Sequence, residues 1–108
     1  MALTIDQFKE VEIRIGTVVH AERVPDSDKL LRLEVDLGEA TVRQILSGIA
    51  EYLKPEEMVG RQFPFVTNLE PRLIRGLVSN GMILAAGEGE TFALLAPTQP
   101  VTPGSRIR

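Results

Sequence analysis

With 108 residues the chain has room for one domain, and a hydrophobic share of 44% is enough to give that domain a core. It contains no cysteine, which excludes disulfides, thiolate metal ligands and cysteine nucleophiles and agrees with a reducing cytoplasm. Its formal net charge of −3 opposes whole-molecule attraction to nucleic acid, so a role of that kind would need a local basic patch.

In chain order, Thr4 and Gln7 are spaced as a capping box for a short helix at the N-terminus. The first ten residues carry Asp6 and Glu10 and do not read as a signal peptide. No apolar run approaches the roughly 18 residues that a membrane-spanning helix needs. Val11 to Ile15 alternates apolar and charged residues as a half-buried strand does. Gly16 then marks an expected bulge or bend before Thr17 to Val19.

Pro25 to Asp28 is a turn, in which Asp26 and Asp28 are expected to bond to nearby backbone N–H groups. Leu31 to Leu37 has the cleanest alternation in the chain, and Gly38-Glu39 turns it into a hairpin partner at Thr41 to Leu46. Ile49 to Met58 predicts one or two short helical turns, with Pro55 opening the second. Gln62 to Thr67 is a further strand, where Pro64 predicts an edge or a bulge. Asn68 to Asn80 reads as an irregular loop, Gly81 to Ala86 as a buried strand and Gly87 to Glu90 as a turn. A strand at Thr91 to Leu95 and a short one at Arg106-Ile107 complete the pattern. Three strands, a short helix and two closing strands are the order of an OB-fold barrel. The fold class expected is therefore all-β, a five-stranded OB barrel with short helices and extra terminal elements, formed by residues 1–108 as a single domain.

Catalytic equipment is not evident. His20 is the lone histidine and reads as a strand-end surface imidazole, with neither a metal-ligand cluster nor a nucleophile motif beside it. Gly87-Glu88-Gly89 does not extend into a dinucleotide fingerprint, since position 92 is Phe. No enzyme activity, metal or cofactor is expected. From Arg61 to Met82 three arginines face one glutamate, a local charge of +2 within a chain of −3. That segment reads either as a solvated basic loop or as a grip in which Arg72 and Arg75 hold phosphates bidentately. Arg14, Arg32 and Arg43 lie mid-strand and would add positive charge if their faces turned towards it.

Three stretches resemble the tRNA-binding domain that occurs free-standing in bacteria and fused to methionyl-tRNA synthetases. They are Phe8 to Val18; Asp28 to Gly38 followed by Ser47-Gly48-Ile49; and Asn68-Leu69-x-Pro71-Arg72 with Gly76, Ser79 and Gly81 to Ala86. The resemblance implies an OB barrel whose terminal elements pair two copies, and recognition of tRNA by shape near the outer corner of the L. It also implies an accessory role beside methionyl-tRNA synthetase. Position by position it assigns Lys29, Asn68, Arg72, Arg75, Ser79 and Met82 to the RNA face. Ser79 and Met82 have the alternative role of holding the loop in shape, and Met82 that of a core residue. A chaperone branch of the same fold matches the Ser-x-Gly-Met region less well and implies the alternative of a protein-interaction dimer. Relatives usually carry a lysine where this chain has Glu70, and a further basic residue where it has Leu73. Every phosphate left without a cation lowers the log–log salt slope by roughly 0.7 to 0.9.

Overall fold

Alternation decides the core. The computed structural model describes residues 1–108, and in the strand Leu31–Asp36 (β2) the residues Leu31, Leu33 and Val35 are fully buried while the charged residues between them stay partly exposed. β2 lies between the strand Ile13–Arg23 (β1) and the strand Arg43–Ser47 (β3), antiparallel to both. The strand Gln62–Val66 (β4) pairs with the first half of β1, and the short strand Met82–Ile83 (β7) follows it. The sheet order β3-β2-β1-β4-β7 makes a nearly closed five-stranded antiparallel barrel, the OB-like all-β fold that the strand order predicts. Val18, Ile45, Met58, Phe63 and Phe65 join the β2 residues in its interior. Each such side chain contributes about 1.5–3 kcal/mol by leaving water.

β1 runs for 11 residues and serves both halves of the barrel, so it must bend. The bulge lies between Val18 and His20, where the register with β2 shifts, and not at Gly16. Gly16 has a different task. A Cβ there would stand 2.5 Å from Val35 Cγ1 and 2.9 Å from Leu37 Cδ2, so the missing side chain is what lets β1 and β2 close on the core. Pro64 is likewise neither at an edge nor in a bulge, because β4 lies between β1 and β7. It is tolerated because the backbone of Ile15 opposite is taken by Ser105 and Gly104 (2.8 and 2.7 Å). On the other side, Leu84 N donates to Pro64 O at 3.1 Å, and no proline N–H is available to carry that ladder further.

This limit explains a second difference. Residues 81–86 do not form one buried strand: β7 ends at Ile83, and Ala85–Ala86 (β8) leaves the barrel to pair with Ala93–Leu94 (β9). The expected strand at 91–95 is therefore reduced to β9, preceded by a 3₁₀ turn at Gly89–Thr91. Another 3₁₀ turn at Pro55–Glu57 opens on its proline as expected and delivers the fully buried Met58 to the core.

Of the two ends of the chain, the C-terminal one lies along the barrel. The helix Ile5–Lys9 (α1) carries its capping box, with Thr4 Oγ1 accepting from Gln7 N (3.1 Å) and Gln7 Oε1 from Thr4 N (2.9 Å). None of its residues is buried. Residues 104–107 run along the free edge of the first half of β1, where Ile15 N donates to Ser105 O and Ile107 N to Ile13 O, both at 2.8 Å. Arg14 and Arg106 form a bridge, which places the short last strand where its sequence pattern predicts it.

Candidate nucleic-acid interface

The segment that reads as an irregular loop holds a hairpin, Arg72–Ile74 (β5) with Leu77–Ser79 (β6). Its two-residue turn is Arg75-Gly76, with φ of 51° and 79°. Positive φ at both positions is the type I′ geometry that matches strand twist. Glycine adopts it freely, whereas Arg75 is held there by its surroundings. The signal was hidden because Arg-Gly is not one of the usual hairpin dipeptides.

The hairpin is fastened at both ends. At the tip, Arg75 donates to Asp26 O at 3.1 Å, and Asp26 itself sits at φ 62°. At the base, Ser79 is 1% exposed; its Oγ accepts from Leu46 N (3.0 Å) and donates to Gly81 O (3.2 Å). Asn80 N donates to Gln44 O and Gln44 Nε2 to Val78 O, both at 2.8 Å. These bonds carry the barrel across the gap between β3 and β7. Ser79 is thus buried and spent on closure, which is the loop-holding role that the resemblance gives as its alternative. Gln44 is the residue that sequence reasoning missed; a lone amide beside Ile45 and Leu46 was the available signal.

The nine candidate residues divide sharply. Arg14 bonds to Glu12 (2.7 Å) and Gly104 O (2.9 Å). Arg32 holds Glu22 and Glu34, both at 2.8 Å, and Gln44 at 3.1 Å. Arg43 holds Glu39 through two bonds of 2.8 Å and also donates to Thr67 O. These three arginines are therefore each paired with a carboxylate within the protein. Asn68 is exposed, but its amide bridges Glu12 N (2.9 Å) and Glu10 O (2.7 Å), which ties the β4 exit to the start of β1. Met82 is 38% exposed on β7, a surface position and not a core one.

Lys29, Arg72 and Arg75 remain. All three are exposed and none forms an ion pair. Lys29 and Arg75 line one cleft of about 400 Å³ with Asp26, Ser27, Asp28 and Gly48, and Arg72 lies on the same hairpin. The turn beneath is held by Ser27, whose Oγ accepts from Lys29 N and Leu30 N (3.4 and 3.3 Å). The hydroxyl takes the role expected of Asp26 and Asp28. His20 is exposed within β1 beside Glu22, at 2.9 Å.

The strand pairs have an acid signature. Arg14 followed by Thr67 holds the Glu12 carboxyl below its ordinary value of 4.5, Arg32 followed by His20 does so for Glu22, and Arg43 does so for Glu39. A carboxylate lowered in the folded state stabilises the protein above its unfolded value and loses that contribution as pH falls through the folded one. Melting temperature is expected to hold steady at neutral pH and to fall as the pH is taken below about 4.5. Glu39→Gln should flatten that acid limb slightly, because exposed pairs contribute little each. Melts followed by circular dichroism in steps from neutral to acid check both.

Residues 13–106 match a family model described as "Putative tRNA binding domain". A methionine–tRNA ligase of Thermotoga maritima is 49% identical over 106 residues, covering 98% of this chain and 17% of that protein. One from Methanothrix thermoacetophila is 53% identical, covering 98% of this chain and 16% of that protein. The chain thus spans about a sixth of the length of these relatives. Among solved structures, a MetRS related protein from Pyrococcus horikoshii superposes with a TM-score of 0.91 at 34% identity, covering 100% of this chain and 99% of that one. The chaperone CsaA of Bacillus anthracis superposes at 0.88 with 30% identity, covering 100% of both chains.

Proposed function

The chain belongs to the tRNA-binding domain family, and on that premise we propose that it binds tRNA by shape, without catalysis, through the hairpin β5–β6 and the turn that carries Lys29. The observation that supports this reading is the division among the cations. Arg14, Arg32 and Arg43 are matched to carboxylates, while Lys29, Arg72 and Arg75 form no ion pair; Lys29 and Arg75 share one cleft and Arg72 lies on the same hairpin. Unpaired cations are what release counterions when phosphates arrive. Residues 1–108 act as one unit in this reading. The unit serves alone or as an accessory to a methionyl-tRNA synthetase, in the cytoplasm. The exposed apolar residues Leu3, Ile5 and Phe8 on and beside α1 suit pairing of two copies, which would present two hairpins to one RNA.

The likeness to CsaA favours a second reading, a protein-interaction dimer with little RNA affinity. Titration of tRNA and of single-stranded RNA at several salt concentrations separates the two. The first reading expects a preference for tRNA and a log–log slope of about −2 to −3, from roughly three neutralised phosphates. Equal, millimolar binding of both RNAs would reject it. Light scattering at micromolar concentration reads the mass of the dimer or of the monomer.

A further inference from the structure

The hairpin presents an exposed apolar pair next to the cationic tip. Leu73 and Val78 are cross-strand partners, so their side chains stand on one side of the ribbon, opposite the side on which Ser79 is buried. They are 75% and 45% exposed. Single exposed apolar residues are ordinary, but this pair sits on a braced platform. Gln44 holds the Val78 carbonyl at 2.8 Å, Arg75 holds the tip to Asp26 O at 3.1 Å, and the turn is type I′. Arg75 caps the tip and Lys29 shares the cleft there with Asp26 and Asp28, whereas Arg72, the cross-strand partner of Ser79, stands on the other side of the ribbon.

A fixed apolar surface that ends in cations at the hairpin tip complements a ligand with an apolar face and an anionic margin. Folded RNA with an exposed base or ribose face between phosphates has that character. Aromatic stacking is not on offer here, since Tyr52 is already stacked on Phe92 at 4.1 Å.

We propose that Leu73 and Val78 seat against an exposed base or ribose face of the folded RNA, while Lys29 and Arg75 at the tip take the phosphates beside it. This rests on the tRNA reading above. It also gives Leu73 a use of its own, as an apolar seat that salt does not weaken.

The test measures tRNA affinity by fluorescence anisotropy across about 0.05 to 0.3 M salt, for the wild type, Leu73→Ser, Val78→Thr, Leu73→Lys and Arg75→Ala. Leu73→Ser is expected to weaken binding by about tenfold at every salt concentration with the slope unchanged. Val78→Thr keeps the β-branched shape and should weaken binding in the same parallel manner. Arg75→Ala, which also frees the tip from Asp26 O, should both weaken binding and flatten the slope. The proposal is overturned if Leu73→Lys tightens binding and steepens the slope by about 0.7 to 0.9, for that position would then meet a phosphate. It is also overturned if Leu73→Ser and Val78→Thr bind as the wild type does, or lose only a protein partner. A wild type that binds no tRNA at any salt concentration removes the underlying reading together with the proposal, whereas failure of the variants alone leaves that reading standing.

Discussion

Replacing Arg72 and Arg75 together by alanine is expected to weaken tRNA binding by about a hundredfold near physiological salt. A charge-assisted hydrogen bond contributes roughly 1.5–3 kcal/mol, and a factor of ten in affinity corresponds to about 1.4 kcal/mol. The log–log salt slope should become shallower by about 1.4 to 1.8, because two phosphates are no longer neutralised. Both side chains are exposed and neither is in an ion pair, so the stability loss should be small and confined to the tip, where Arg75 no longer donates to Asp26 O. The double lysine variant sharpens the result. Lysine keeps the charge but not the planar fork, so the slope should return while part of the affinity does not. Unchanged isotherms for the alanine variant would remove the hairpin from the interface. Neutralising Arg14 should by contrast leave the slope alone, because that guanidinium is already matched by Glu12 at 2.7 Å.

The second large effect is on stability. Ser79→Ala removes the acceptor for Leu46 N and strips a buried N–H of its partner. An unsatisfied buried donor costs about 1–3 kcal/mol, and for a domain of this size a loss in that range lowers the melting temperature by roughly 10 °C. The bond joins β3 to the residue before Asn80, so its loss strikes the one gap in the barrel that regular strand pairing does not close. Thermal melts of Ser79→Ala and Ser79→Thr distinguish the roles: threonine keeps the hydroxyl and should recover part of the loss. A variant that melts like the wild type but binds tRNA weakly would return Ser79 to the RNA face.

Strands with one wet and one dry face were legible because their period is two. Leu31, Leu33 and Val35 could be assigned to the core from the letters alone, and so could the turns on either side of them. Features decided by what lies opposite in space were not legible. Gly16 has the same letter whether it bends a strand or makes room for Val35, and only the fold tells which. Pro64 reads as an edge until the tail is seen to occupy the backbone of Ile15. For the site, exposed loop cations were read correctly as exposed. The fate of Arg14, Arg32 and Arg43 was hidden, because their carboxylate partners come from two positions away along the chain, from a neighbouring strand and, for Arg43, from the preceding turn. Ser79 and Gln44 bond across a gap of more than thirty residues, and no local pattern announces that.

The tail along β1 has a consequence for how the molecule behaves in company. An uncovered strand edge invites the strand of any neighbour to zip onto it, which is how folded proteins seed aggregates. Between Ile13 and Ile15 that edge is filled from within by Gly104, Ser105 and Ile107, so a foreign strand finds its place taken. The tail is in this sense a guard against promiscuous association along the first half of β1.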